Sequence, residues 1–319
     1  MSLERAWKLT LFFVVLIAVS GPWSRADVAL VAGIALGLWG LACFPSQSKF
    51  TSKWLIQACV VALGLRLDLR VLADSAVAGL ALAVGTIVGA VVVGLLLGKL
   101  LKTSREVSVL ITSGTAICGG SAIVAIGTSI GAASSNMAVA TGAIFILNAI
   151  GLWTLPSIGH SLGLTQVQFG EWAGVALHDI ASVGGAAKSY GAVAFDTANV
   201  VKLTRVIWIF PLALLAARLV SRGAAATKRP VFPWFILCFL IASALRTSFP
   251  ALKEQEELIL SGSGMGFQLA LFLIGSGLSM HVLKQVGWRA LVQAAALWIA
   301  LAAGSLAVIY FGTPRLNAL

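Results

Sequence analysis

Apolar runs of about twenty residues recur along the whole chain, each closed by a short charged or glycine-rich break, which is the spacing of helices that cross a bilayer. The runs fall at 9–23, 28–44, 54–70, 75–101, 108–131, 136–156, 169–191, 198–221, 231–247, 258–280 and 288–312. Only 10% of the residues are charged and mean hydropathy is +1.00, whereas soluble domains carry about 25% charged residues. A water-soluble fold is therefore excluded. The expectation is an all-α integral membrane protein of eleven transmembrane helices, one polytopic domain over 1–319 with its core at 28–312. The run at 9–23, preceded by Arg5 and Lys8, reads either as a peripheral first helix or as a signal peptide, although the following GPWSRAD lacks an A-x-A cleavage site.

The net charge of +11 is scattered between apolar runs and forms no basic stripe, so nucleic acid is not expected as a partner and membrane lipids are. With the N-terminus in the cytoplasm, thirteen Lys and Arg residues lie inside and seven outside; this bias expects a cytoplasmic N-terminus and a periplasmic C-terminus. Cys43, Cys59, Cys118 and Cys238 have no metal-knuckle or redox spacing. No Walker A, HExxH or GxSxG string occurs, so no cofactor, metal or ATPase is expected and any transport would run on gradients.

Three runs carry chemistry. The fifth contains Ser113-Gly114-Thr115-Ala116-Ile117-Cys118-Gly119-Gly120-Ser121-Ala122. Adjacent glycines are poor helix interior, so either the helix breaks there, and the second half offers N–H donors to an anion, or small residues pack helices together. The seventh run places His178 and Asp179 at its centre, followed by Gly184-Gly185; ionisable groups at such depth face a cavity or a partner, and one of the two can orient the other. In the eighth, Asn199, Lys202 and Arg205 share one face. A hairpin turning near Ala194 would put Arg205 level with Val183, beside the room left by the glycine pair, and Lys202 level with Ala186, where it either faces inward or snorkels. Asn148 and Gln57 are expected to bridge helices. Ser261-Gly262-Ser263-Gly264-Met265-Gly266 is a further candidate break. It would make the fifth and tenth runs symmetry partners of two five-helix halves, in competition with a match between Gly64-Leu65-Arg66-Leu67 and Gly275-Ser276-Gly277-Leu278.

GTAICGGSAIVA at 114–125, GVALHDIASVGGA at 174–186, VKLTRVIWIFP at 201–211, ALFLIGSGLSMHVLKQVGWRAL at 270–291 and LGLRLDLRVL at 63–72 resemble the YeiH-like family, catalogued as sulfate exporters. The resemblance implies an inner-membrane protein related to the cation:proton antiporter and bile-acid transporter superfamily, with inverted repeats and crossed, broken helices. The expected activity is secondary export of a small oxyanion, sulfate- or sulfite-like, with or without H⁺ or Na⁺ coupling. Thr115, Cys118, Gly119, Gly120, Ser121, Gly184, Gly185, Lys202 and Arg205 form the expected substrate-binding set, and His178 with Asp179 the ion-coupling pair. Cation-coupled movement of an organic carboxylate or sulfonate, a passive channel and a membrane-embedded His–Asp enzyme are the alternatives; no nucleophile accompanies the pair, so an enzyme is not expected. A second copy of the chain is a candidate partner. Reporter fusions after Leu319 should be active only in the periplasm; a cytoplasmic signal would mean that the count of spans is off by one.

Overall fold

The computed structural model describes residues 3–21, 23–67, 69–220, 234–278 and 286–312. The connection at 222–230, the 279–285 part of the 270–291 string and Leu319 lie outside the described residues. Helices occupy every expected run: α1 (Leu3–Ser20), α2 (Ala26–Leu38), α3 (Pro45–Gly64), α4 (Leu69–Leu100), α5 (Arg105–Ala116), α6 (Gly120–Ile130), α7 (Ser134–Ser161), α8 (Gln166–Ala176), α9 (Ile180–Tyr190), α10 (Ala192–Val206), α11 (Ile209–Val220), α12 (Trp234–Ser248), α13 (Glu256–Ser276) and α14 (Trp288–Gly312). No strand occurs among the described residues. Five helical stretches are long and apolar enough to cross a membrane, at Leu82–Leu100, Ser134–Ser161, Ala192–Ala216, Ala251–Ser276 and Trp288–Gly312, and shorter apolar helices include α2, α6 and α12.

Helix starts follow local chemistry. Ser104 caps α5 by accepting from the Val107 N–H, and Thr165 with Gln168 forms a reciprocal capping box at α8. Pro45 opens α3 at a position where its missing N–H costs nothing.

The helices sort into two bundles. In one, α1, α2, α3, α12 and α13 pack among themselves; in the other, α4 to α11 pack with α14. The bundles meet mainly along α9 and α13, with α2 against α7 and α9 and α12 against α4. An ion pair of Arg66 and Asp196, 2.9 Å, also joins them, and Arg66 donates to the Glu256 carbonyl while Arg246 pairs with the Glu256 carboxylate at 2.7 Å. The first helix rests on α2 and α13 through Phe12, Val19, Ala29 and Phe272.

One expectation is corrected. The helix α13 runs unbroken through Ser261–Gly266, so the tenth run has no break there; the fifth and seventh runs are interrupted, and the eighth has a two-residue turn between α10 and α11. The glycines of the internal match serve close crossings: a Cβ on Gly64 would collide with the Phe239 carbonyl and Ala242 of α12, and one on Gly275 would lie 2.6 Å from the Leu30 carbonyl of α2.

The α2–α13 crossing is the tightest contact of its bundle, because a Cβ on Gly33 would likewise run into the Phe272 carbonyl and one on Gly37 would lie 2.5 Å from the Leu278 carbonyl. By contrast, Gly89 faces a groove of about 1120 Å³ between α4, α10 and α14 and has open space beside it. Gly33→Leu is expected to lower the melting temperature in detergent by an overpacking cost of about 1–3 kcal/mol or more, whereas Gly89→Leu should leave it within experimental scatter.

Candidate functional site: a crossing of two broken helices

The fifth run breaks over Ile117-Cys118-Gly119 and the seventh over Leu177-His178-Asp179. At the first break Gly119 adopts φ +68° and ψ −124°, open to glycine and hardly to any other residue. At the second, Leu177 and Asp179 are extended. The breaks touch: a Cβ on Gly119 would sit 3.3 Å from the His178 Cβ. Four half-helix ends therefore meet inside the protein, and each carries backbone groups without an intrahelical partner.

The two C-terminal ends are closed by α10. Arg205 and Lys202 are fully buried. Arg205 donates to the carbonyls of Ala116 (Nε, 3.2 Å), Thr115 (3.3 Å) and Val175 (3.1 Å). Lys202 donates to the carbonyls of Leu177 at 2.5 Å and Ile117 at 3.4 Å. The Ser113 and Gly114 carbonyls accept from the Ile117 and Gly119 N–H groups, the Ala173 carbonyl from the Leu177 N–H, and the Ala176 carbonyl from the Trp298 indole at 2.9 Å. Two buried cations are thus held by the negative ends of two half-helices, which offsets part of their desolvation.

The two N-terminal ends differ. Asp179 caps α9: its carboxylate accepts from the Ser182 N–H and hydroxyl, both at 2.8 Å, and from the Asn148 amide. Asn148, on α7, also donates to the Ser182 hydroxyl at 2.6 Å and accepts the His178 N–H at 2.8 Å, so it bridges helices as expected. The first turn of α6 is preceded by the buried Cys118 thiol. The Gly120 and Ser121 N–H groups have no acceptor among the described residues; Ser121 is exposed, and a Cβ on Gly120 would meet nothing nearer than Phe145 at 3.8 Å. His178 is 1% exposed and neither ring nitrogen has a protein partner.

The structure thus brings Thr115, Cys118, Gly119, Gly120, Ser121, His178, Asp179, Lys202 and Arg205 to one crossing, and it leaves Gly184 and Gly185 away from it. The seventh run is interrupted at His178-Asp179, and α9 runs on unbroken through the glycine pair. A Cβ on Gly184 would strike the Phe267 ring, and one on Gly185 would lie 2.5 Å from Ala26, so both serve packing of α9 against the other bundle. The hairpin turns at Gly191, between α9 and α10, and not near Ala194. That shift lowers Arg205 from the level of Val183 to that of Leu177, where its fork finds carbonyls. The Thr115 hydroxyl is buried without a partner, so this residue takes part through its carbonyl. The buried Gln57 leaves its Oε1 unpartnered. Sequence reasoning passed over Asp196, an acid between the seventh and eighth runs, and its pairing with Arg66.

Replacing either cap should bare carbonyls that water cannot reach, at about 1–3 kcal/mol per group. Lys202→Met and Arg205→Met are expected to melt well below the parent in detergent, with Arg205→Met the worse because it frees three carbonyls. Equal melting of parent and Arg205→Met would rule out the capping role.

The family model described as Conserved hypothetical protein 698 matches residues 22–294. A UPF0324 membrane protein of Geobacter sulfurreducens is 42% identical over 298 residues, covering 93% of this chain and 95% of that protein. One from Bacteroides thetaiotaomicron is 40% identical over 292 residues, covering 91% and 87%, and one from Vibrio vulnificus 38% over 303 residues, covering 93% and 96%. No solved structure matches. The shared length takes in both broken helices and the α10 face that closes them, and the chain belongs to the UPF0324 family of membrane proteins.

Proposed function

We propose that the chain is a secondary transporter of a small oxyanion, sulfate- or sulfite-like, exported across an inner membrane as the YeiH-like resemblance implies, with the eleven spans that the apolar runs suggest and the cytoplasmic N-terminus that the Lys and Arg bias suggests. The observation that carries this reading is the inequality of the four helix ends at the crossing. Three are closed by charged side chains, while the α6 end keeps free N–H groups at Gly120 and the exposed Ser121, with Phe145 the nearest neighbour of Gly120. Such an end attracts an anion through its donors and its partial positive charge. Lys202 and Arg205 lie behind it, and Asp179, already accepting three hydrogen bonds, supplies a fixed negative charge on the neighbouring end.

The coupling role expected of the His178–Asp179 pair is assigned to His178. Its imidazole has no protein partner to lose, and a proton taken there adds positive charge beside the anion site, so proton and anion bind together. Asp179 acts by holding the start of α9. The site reads as one for binding and release rather than chemical turnover.

The test is binding and transport by purified protein. Sulfate affinity should rise as pH falls in the parent and lose that dependence in His178→Gln, with proton-gradient-driven uptake into proteoliposomes abolished and anion exchange retained. Gly120→Leu should weaken sulfate binding roughly ten- to hundred-fold, the loss of a charge-assisted contact of about 1.5–3 kcal/mol. Sulfite, organic sulfonates and carboxylates as competitors separate the inorganic from the organic substrate class. Full affinity in Gly120→Leu, or unaltered pH dependence in His178→Gln, would sink the corresponding part.

A further inference from the structure

The cations described above are neutralised by the protein itself. Arg66, Arg246 and Arg25 pair with Asp196, Glu256 and Asp27, while Lys202 and Arg205 hold carbonyls. Lys188, on the last turns of α9, has neither a hydrogen bond nor an ion pair among the described residues. Its ammonium and stem lie against α13 at Gly264, where an added Cβ would collide with its Nζ and come within 2.5 Å of its Cδ and 2.6 Å of its Cε. The absence of a side chain at Gly264 is what admits it, and Lys188, itself exposed, lines the mouth of a cleft between the two bundles.

That cleft has a volume of about 210 Å³ and is walled by the start of α2, by α7, by α9 and by α13. At ~30 Å³ per water it takes about seven waters, room for one hydrated tetrahedral oxyanion and less than the ~300 Å³ of sites for larger organic ligands. Its charges do not cancel. Arg25 grips Asp27 in a two-pronged contact of 3.0 and 3.1 Å, and the Gln268 amide is spent on the Val19 and Gly21 carbonyls. The unbalanced charge is that of Lys188. The cleft is also near the crossing: Leu152 and Gly185 on its wall follow Asn148 and Ser182 by about one helical turn, roughly 5 Å along each axis.

We propose that this cleft is an oxyanion-binding site on the approach to the crossing, with Lys188 as the group that recruits the ion. Its place on a route rests on the anion-transport reading above; its binding does not. An unpaired positive charge at the mouth of a cleft concentrates anions there and raises their encounter rate. The same chemistry would suit the phosphate of a lipid headgroup, and the experiment separates the two.

Ser189 lines the cleft beside Lys188 and is exposed, so Ser189→Cys provides a reporter that needs no transport. In detergent, an anionic methanethiosulfonate should modify it about tenfold faster, relative to a cationic one, than in the Ser189→Cys/Lys188→Gln double variant. Inorganic sulfate should slow modification in the first and not in the second, and Lys188→Arg should restore both effects. The reporter is then reconstituted in vesicles with and without phosphatidylglycerol. Protection that requires added sulfate assigns the cleft to a free ion, whereas protection by phosphatidylglycerol alone assigns it to lipid and overturns the route. Equal sulfate protection with and without Lys188, or none in either, overturns the site. If sulfate protects through Lys188 yet proteoliposomes carry no anion, the cleft stands and the transport reading falls.

Discussion

Helix ends buried away from water must find partners, and in this protein four helix ends meet at one point, three of them closed by side chains. A continuous helix satisfies its own backbone; two interrupted helices that cross expose up to four orphan groups at each end to an interior where nothing but protein can answer them. The answer is drawn from α10, from α7 and from the second break itself. Lys202 and Arg205 supply donors for the carbonyl ends, and Asp179 with Asn148 supplies acceptors and a bridge for the start of α9. Charges that would be costly alone are tolerable here because each faces a helix end of opposite sign.

The bundle of α1, α2, α3, α12 and α13 is built differently. Its cohesion comes from backbone approaching backbone at Gly33, Gly37, Gly64 and Gly275, where a single added carbon would force helices apart. Small-residue crossings of this kind hold apolar helices together where burial of apolar surface offers little gain over contact with lipid. One bundle is thus organised by polar closure around a break and the other by steric closeness, and the cleft with Lys188 lies on the seam between them.

Much of this was legible in the sequence. Apolar runs located the helices because the period and length of the pattern are set by the bilayer, and the Gly119-Gly120 pair located one break because few other residues accept the torsions found there. The room expected at Gly184-Gly185 is not there. Gly184-Gly185 looks like a helix breaker, yet an N-cap aspartate with serine three residues on, Asp179 and Ser182, is what starts α9, and the glycines are consumed by Phe267 and Ala26. The register of α9 against α10 was misjudged for the same reason: a turn at Gly191 instead of Ala194 moves every level by about two turns of helix. No local pattern could show that Arg205 and Lys202 would spend their hydrogen bonds on carbonyls, since those carbonyls are freed only by the breaks. The Arg66–Asp196 pair joins residues 130 positions apart and has no local signature at all.

One helix connects these features. Asp196, Lys202 and Arg205 all stand on α10, the first of them in an ion pair with Arg66 of the opposite bundle and the other two at the crossing. Six residues of helix, about 9 Å, separate Asp196 from Lys202, and a helix of that length transmits displacement as a rod rather than a spring. The two ends are therefore not independent. Any shift of the break carbonyls that drags Lys202 and Arg205 along is felt as tension on a single carboxylate–guanidinium pair, which makes Arg66–Asp196 the natural place to put a spectroscopic label.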